Sequence, residues 1–488
     1  MKRLYLSTTI PYVNADPHLG FALEAVQADV LARAARAEGR EVFFTSGTDD
    51  NALKNVLAAE AAGLPTEEFV TQHSARFREL REVLNLSLDD FISTREKRHI
   101  KGAQKFWATC RREDIYLKKY KGLYCVGCEE FKTEKELESG KCPEHPNLKP
   151  ETVEEENYFF RLSSYQKKLE ELIASDTFRI APETRKHEVL NFIRQGLQDF
   201  SISRSRERAR GWGIPVPVDE RQVMYVWFDA LTNYLNVLGY ADDAKRFHEF
   251  WKEGERMHVL GKGVLRFHAV YWPAMLISAG LPLPTRLFVH GYLTKDGQKM
   301  SKSTGNVISP QEAVAQFGTD AIRYYLLREI PAYEDGDWSE AKCKERYNAD
   351  LANGIGNFAA RTLTLAEKCG TIEIDYENAQ NKELAERIED VRTRVNEKLS
   401  IYKFHEALAA LFELVSWGDA YINAAKPWEK MDKIVIGNLL VALDAFAVLL
   451  SPFLPETAEK IQKKIHWKDS GKKQVTAEKG DVLFPRIK

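Results

Sequence analysis

Two lysines, Lys299 and Lys302, flank small hydroxyl residues in the Gly-bounded loop DGQKMSKSTGN, residues 296–306. Such a loop can fold two ammonium groups over a polyphosphate, where catalysis depends on neutralising developing charge. PHLGF, residues 17–21, stands where an apolar run hands over to a long amphipathic stretch. A helix beginning there turns unpaired N–H groups and partial positive charge outward, which suits a phosphate. His18 can donate a hydrogen bond, and Gly20 lets a ligand approach the backbone. A third cluster reads Cys125-x2-Cys128 and then Cys142-x2-His145. Two short-spaced pairs joined by a turn-rich connector give a tetrahedral set of three sulfurs and one nitrogen with no open position, the pattern of structural zinc.

These groups need a scaffold. RLYLSTTI (3–10) alternates like a strand, and EVFFTSGTDD (41–50) reads as a buried one. Residues 21–39 and 52–63 carry apolar residues at helical spacing. Strand, helix, strand, helix predicts a parallel α/β sheet with ligands beyond the strands' carboxyl ends, where His18 and Asp49 fall. The fold class expected is a Rossmann-like parallel-sheet catalytic domain, split by a zinc-containing insertion and followed by an α-helical bundle. The boundaries expected are 1–114 and 221–285 for the two catalytic halves. An insertion occupies 115–220, with its knuckle at about 121–148. The lysine-loop region is 286–346, and the helical domain is 347–488. The final stretch, GKKQVTAEKGDVLFPRIK, is expected to lie back on the body as a strap.

At 488 residues the chain exceeds the span of one core. A net charge of −2 means that any nucleic-acid contact must come from a local basic face. No signal peptide is read at the N-terminus. The most apolar window, 438–455, is interrupted by Asp444 and ended by Pro452, so a buried helix is expected and no membrane partner. Six cysteines in so long a chain, three of them clustered, point to metal binding in a reducing cytoplasm.

The pair HLG and KMSKS resembles the twin nucleotide motifs of the class I aminoacyl-tRNA synthetases. IPYVNADPHLG, YVWFDA, FHAVYWPAM, VHGYLTKDGQKMSKS, DAIRYYLLRE and NGIGNFAAR resemble the methionyl branch of that family, almost from end to end. The resemblance implies an enzyme that activates L-methionine with ATP and passes the acyl group to tRNA(Met), releasing AMP and pyrophosphate. It implies that His18, Lys299 and Lys302 are catalytic, and that His18, Gly20, Glu24, Gly261 and the two lysines hold ATP with Mg2+. Methionine would sit against Ile10, Tyr12, Trp227, Ala230, Tyr234 and His268, with its ammonium on Asp49. In the helical domain Asn357, Arg361 and Trp428 would read the anticodon. One structural zinc per chain and a monomer are expected.

Three positions depart from the family pattern. Phe21 and Asn51 stand where histidine is usual, and Gly263 where aspartate is. The resemblance then implies a rearranged nucleotide pocket. The alternative is a tRNA-binding paralogue with weak or lost adenylation. Rivals within the class are the cysteine, leucine and valine enzymes, and the insertion is too short for the editing domain of the last two.

Overall fold

The computed structural model describes residues 3–126, 130–132, 134–143, 149–300, 305–375, 377–468 and 473–487. The chain divides into two compact units. The first comprises Met1–Pro17, Ala35–Arg81 and Ser87–His290; the second comprises His18–Ala34, Glu82–Leu86 and Gly291–Lys488.

The first unit is built on six parallel strands: β1 (Arg3–Ser7), β2 (Glu41–Thr48), β3 (Asp90–Ser93), β4 (Arg179–Ala181), β5 (Glu255–Gly261) and β6 (Arg286–His290). Their order is β3-β2-β1-β5-β6-β4. Apolar runs such as Tyr5–Leu6, Val259–Leu260 and Leu287–Val289 are buried throughout, as in a sheet covered on both faces. Strand order reverses between β1 and β5, and the carboxyl ends of that pair flank the crevice where open α/β sheets take ligands. Helix α1 (Leu19–Ala37) follows β1 in the chain, and the short helix α2 (Val226–Leu231) precedes β5.

Two expected boundaries differ from the structure. β4 lies inside the segment expected as an insertion, yet it pairs with β6 in the core sheet. Three residues are too few to show an alternation. β6, beyond residue 285, pairs with β5 and β4 inside the sheet, so the second catalytic half runs on to His290. The inserted part contains a four-stranded antiparallel sheet in which Ile115–Cys125 and Glu151–Phe160 pair from Ile115↔Phe160 to Tyr124↔Glu151.

Beyond residue 356 the second unit carries the long helices α3 (Asn357–Cys369), α4 (Ala379–Ser400), α5 (Phe404–Ala425) and α6 (Lys433–Leu450). On α5 the buried residues Phe404, Ala407, Leu408, Leu411, Leu414, Val415, Gly418 and Ile422 recur at the three- and four-residue steps of an amphipathic helix. A Cβ on Gly418 would lie 2.3 Å from the Phe358 ring, so only glycine lets α3 and α5 approach this closely. α6 is long and apolar enough to span a membrane, but 67% of it is buried. Asp432 caps α6 by accepting from the N–H groups of Ile434 and Val435. The C-terminal segment returns as Gln474–Ala477, a strand between Ile372–Glu373 and Ile465–Trp467.

Candidate active site

At the carboxyl end of β1 the chain runs through Ile10, Pro11 and Tyr12, which form one wall of a cavity of about 110 Å³. Trp227, Ala230 and Tyr234 form the facing wall, and Val264 and His268 close it from the segment after β5. All six side chains expected to hold a thioether therefore line one slot in the first unit. The Trp227 ring stacks on Phe267 with centroids 3.8 Å apart and meets Tyr12 and His268 edge-on at 6.2 Å each. Such a slot offers the polarizable aromatic contacts that sulfur favours.

Phe267 was not foreseen from the sequence. It begins the π-helical turn Phe267–Tyr271, whose wider winding changes the registry of successive side chains. A reading at 3.6 residues per turn misses that change. The signal was the largely apolar run FHAVYWPAM after Arg266, which periodicity could not orient.

Asp49 follows β2 and is buried. It bridges to Tyr12 in strand-like pairing, and its N–H donates to the Pro11 carbonyl at 2.8 Å. Asn51 N–H donates to Asp49 Oδ1 at 3.3 Å, and Asn55 Nδ2 donates to the Asp49 carbonyl at 2.9 Å. Lys54 lies 3.9 Å over the Tyr12 ring. The adjoining carboxyls are shifted in the acid-retaining direction: burial pushes Asp50 up to about 6 and raises Asp229 well above the carboxylate range. Burial also holds His258 well below its ordinary value, so its ring, tilted 31° to the Tyr234 ring with centroids 4.1 Å apart, is neutral.

In the second unit His18 immediately precedes α1. Gly20 N–H donates to His18 Nδ1 at 3.1 Å, so Nδ1 is the acceptor and the neutral ring carries its proton on Nε2, the form that can donate to a phosphate oxygen. A Cβ at Gly20 would lie 2.9 Å from the His18 ring, so the glycine is required by this contact. The first N–H groups of α1 were expected to face a ligand unpaired. They are paired instead: Leu19 N–H to the Ile308 carbonyl at 3.0 Å, and Phe21 and Ala22 to the His18 carbonyl. Glu24 is buried on the same helix. Gly261 ends β5 in the first unit, paired with His290.

The lysine loop leaves a hairpin of Leu293–Lys295 and Gln298–Lys299, with the Lys299 backbone opposite Thr294. Asp337 accepts from Thr294 Oγ1 at 2.7 Å and from Gly297 N–H at 3.0 Å, which fixes the turn before the loop. Lys302 lies outside the described residues.

Of the four expected zinc ligands, Cys128 and His145 lie outside the described residues. Cys125, at the end of a strand, and Cys142 are 1% and 0% exposed. Two thiols so buried in a small knuckle fit an enclosed thiolate site.

On the helical bundle Asn357 opens α3, exposed, and Arg361 stands one turn on. Arg361 lies 5.9 Å from the Trp428 ring, and its Nη2 donates to Asn423 Oδ1 at 2.7 Å. Trp428 is 48% exposed, an aromatic face open to an unstacked base. Asn423 and Asp419, 3.6 Å from Arg361, complete the cluster; neither was singled out in the sequence.

The chain is similar to known proteins over almost its whole length. Residues 4–148 and 145–363 match the profile of the tRNA synthetases class I (M), and residues 381–481 that of the anticodon-binding domain of tRNA ligase. The methionine--tRNA ligase of Brucella suis is 40% identical over 473 residues, 94% of this chain and 91% of that protein. That of Nostoc is 41% identical over 482 residues, 95% of this chain and 90% of that protein. Mycobacterium tuberculosis methionyl-tRNA synthetase in complex with methionyl-adenylate superposes with a TM-score of 0.92 at 36% identity, covering 100% of both chains. On both sequence and fold, the chain belongs to the methionyl branch of the class I tRNA synthetases.

Proposed function

We propose that this protein is a methionine--tRNA ligase. It binds L-methionine in the slot formed by Tyr12, Trp227 and His268, and this slot is the observation that carries the reading. The methionine carboxylate attacks the α-phosphorus of ATP, pyrophosphate leaves, and the acyl group of the adenylate then passes to the 3′ end of tRNA(Met) with release of AMP. Asp49 holds the α-ammonium as a charge-assisted pair. His18 Nε2–H donates to a phosphate oxygen, while Gly20, Glu24 and Gly261 shape the nucleotide site. Lys299 and Lys302 neutralise charge as the α-phosphorus is attacked. ATP is used with Mg2+, as in ATP-dependent class I synthetases generally.

The bundle face of Asn357, Arg361 and Trp428 reads the anticodon. Cys125, Cys128, Cys142 and His145 hold one structural zinc, which ties the knuckle together; metal analysis of active protein should find one zinc per chain. The protein works as a cytoplasmic monomer.

Lys302→Ala tests the chemistry. Methionine-dependent pyrophosphate exchange should fall at least about a hundredfold, the scale of losing one preorganised charge contact, while methionine binding by calorimetry is kept. Unchanged exchange would remove the loop from the mechanism. A paralogue without adenylation is disfavoured by the intact thioether slot, which a protein that only bound tRNA would not need.

A further inference from the structure

Asn51 was expected to mark a change in the nucleotide pocket; its contacts lie elsewhere. The side chain is 6% exposed, and its Nδ2 donates to Asp229 Oδ2 at 3.2 Å and to the Thr94 carbonyl at 3.3 Å. Its backbone N–H donates to Asp49 Oδ1 at 3.3 Å. Asp229 is fully buried on α2, between the slot residues Trp227 and Ala230. Asn51 supplies the one hydrogen bond to that carboxyl among the described residues, and Asp229 Oδ1 has no partner there. One residue therefore touches both ends of the substrate site: Asp49 through its main chain, and the helix carrying the thioether wall through its amide.

We propose that Asn51 is a positioning residue: by donating to the buried Asp229 carboxyl it fixes the Trp227–Ala230 wall relative to Asp49, and so sets the site to the length of methionine. The inference rests on the proposed methionine activation.

The chemistry of the surroundings makes this bond consequential. An unpaired carboxyl in an enclosed site is costly, and a donor to it favours its charged form. Four other charged groups surround the cluster. Asp50 adjoins it in the chain, with its Oδ2 accepting from Ser93 Oγ. Arg95 acts on both Asp50 and Asp229, Glu96 acts on Asp50, and Lys54 stands over Tyr12. Arg95 also lies 4.2 Å over Trp212, whose Nε1 donates to the Asp50 carbonyl at 2.8 Å. Among these, Asn51 alone donates to Asp229, so its loss should make that carboxyl harder to ionise.

Pyrophosphate exchange by the full-length protein at several pH values, with Asn51→Ala and the isosteric Asn51→Asp, tests the proposal. Asn51→Ala should raise the methionine KM about tenfold or more, leave the ATP KM within about twofold, and move the acid limb of kcat/KM for methionine to higher pH. Asn51→Asp keeps the volume but loses the donor above neutral pH, so it should show the same KM split there; it carries the test if the alanine variant does not fold. Equal changes in both KM values, or an unmoved acid limb, would make Asn51 a space-filler and overturn the proposal. A wild type without methionine-dependent exchange would instead overturn the reading on which it rests.

Discussion

The Tyr234 hydroxyl lies 2.8 Å from His268 Nε2, and His268 Nδ1 lies 2.9 Å from the Val264 carbonyl. A carbonyl only accepts, so Nδ1 carries the proton, and in the neutral ring Nε2 accepts from Tyr234. The polar tips of Tyr234 and His268 are thus spent on each other and on the backbone. Tyr234→Phe removes one donor and leaves Nε2 without it in an enclosed site, a cost of about 1–3 kcal/mol. The expected result is a roughly tenfold fall in kcat/KM for methionine at saturating ATP, with discrimination against leucine reduced. Steady-state exchange with both amino acids checks this.

The bundle face makes a separable prediction. Base–aromatic stacking is worth about 1–3 kcal/mol, so Trp428→Ala should cut tRNA charging about tenfold or more. Arg361→Ala should do the same, while methionine-dependent exchange without tRNA stays at the wild-type rate. Parallel loss in both assays would mean that these side chains support the fold and not the RNA.

Arg323 and Asp29 are an ion pair at 2.8 Å with both side chains fully buried in the second unit. The Arg323 guanidinium also donates to the carbonyls of Leu84, Pro452 and Phe453. Asp29 also pairs with Arg33 Nε at 2.7 Å, so loss of Arg323 leaves that carboxylate one cation while three carbonyls lose their donor, at about 1–3 kcal/mol for each one left unpaired. Arg323→Leu should therefore lower the urea midpoint of unfolding, and the double variant Arg323→Leu with Asp29→Leu, which also strips Arg33 of its partner, should not recover the loss.

Asp50 gives stability a pH dependence of definite sign. Its carboxyl is pushed up to about 6 by burial, so the folded state binds its proton more tightly than the unfolded chain does. That contribution is fully present below the unfolded pKa and is lost as pH rises through about 6, a difference on the order of 3 kcal/mol at 1.36 kcal/mol per pKa unit. Asp50→Asn, which cannot ionise, should gain melting temperature relative to wild type between pH 5 and pH 8. A difference that does not change across that window would contradict the account.

The motifs and the α/β alternation were legible because both are local. His18 and Asp49 fall where strands end, whereas Ile10, Tyr12, Asn357 and Arg361 were singled out by the resemblance to the family, the last two sharing one helical face. What was hidden depends on contacts distant in sequence. Arg179–Ala181 joins the sheet only through β6. Phe267 stacks on the slot residue Trp227 from a π turn that breaks the usual period. Gly20's N–H is taken by a side chain two residues away. Asn51 read as a change near ATP, and only the fold brings it to Asp229, 178 positions away.

The central claim is that the slot of Tyr12, Trp227 and His268 selects methionine for activation. The most direct measurement is ATP–pyrophosphate exchange by the purified protein with Mg2+, supplied with each amino acid in turn and compared with Trp227→Ala. Strong exchange with methionine and with no other amino acid, and a methionine KM raised at least about tenfold in the variant, are expected. Exchange driven equally by another amino acid, absent with methionine, or untouched by Trp227→Ala would contradict that claim.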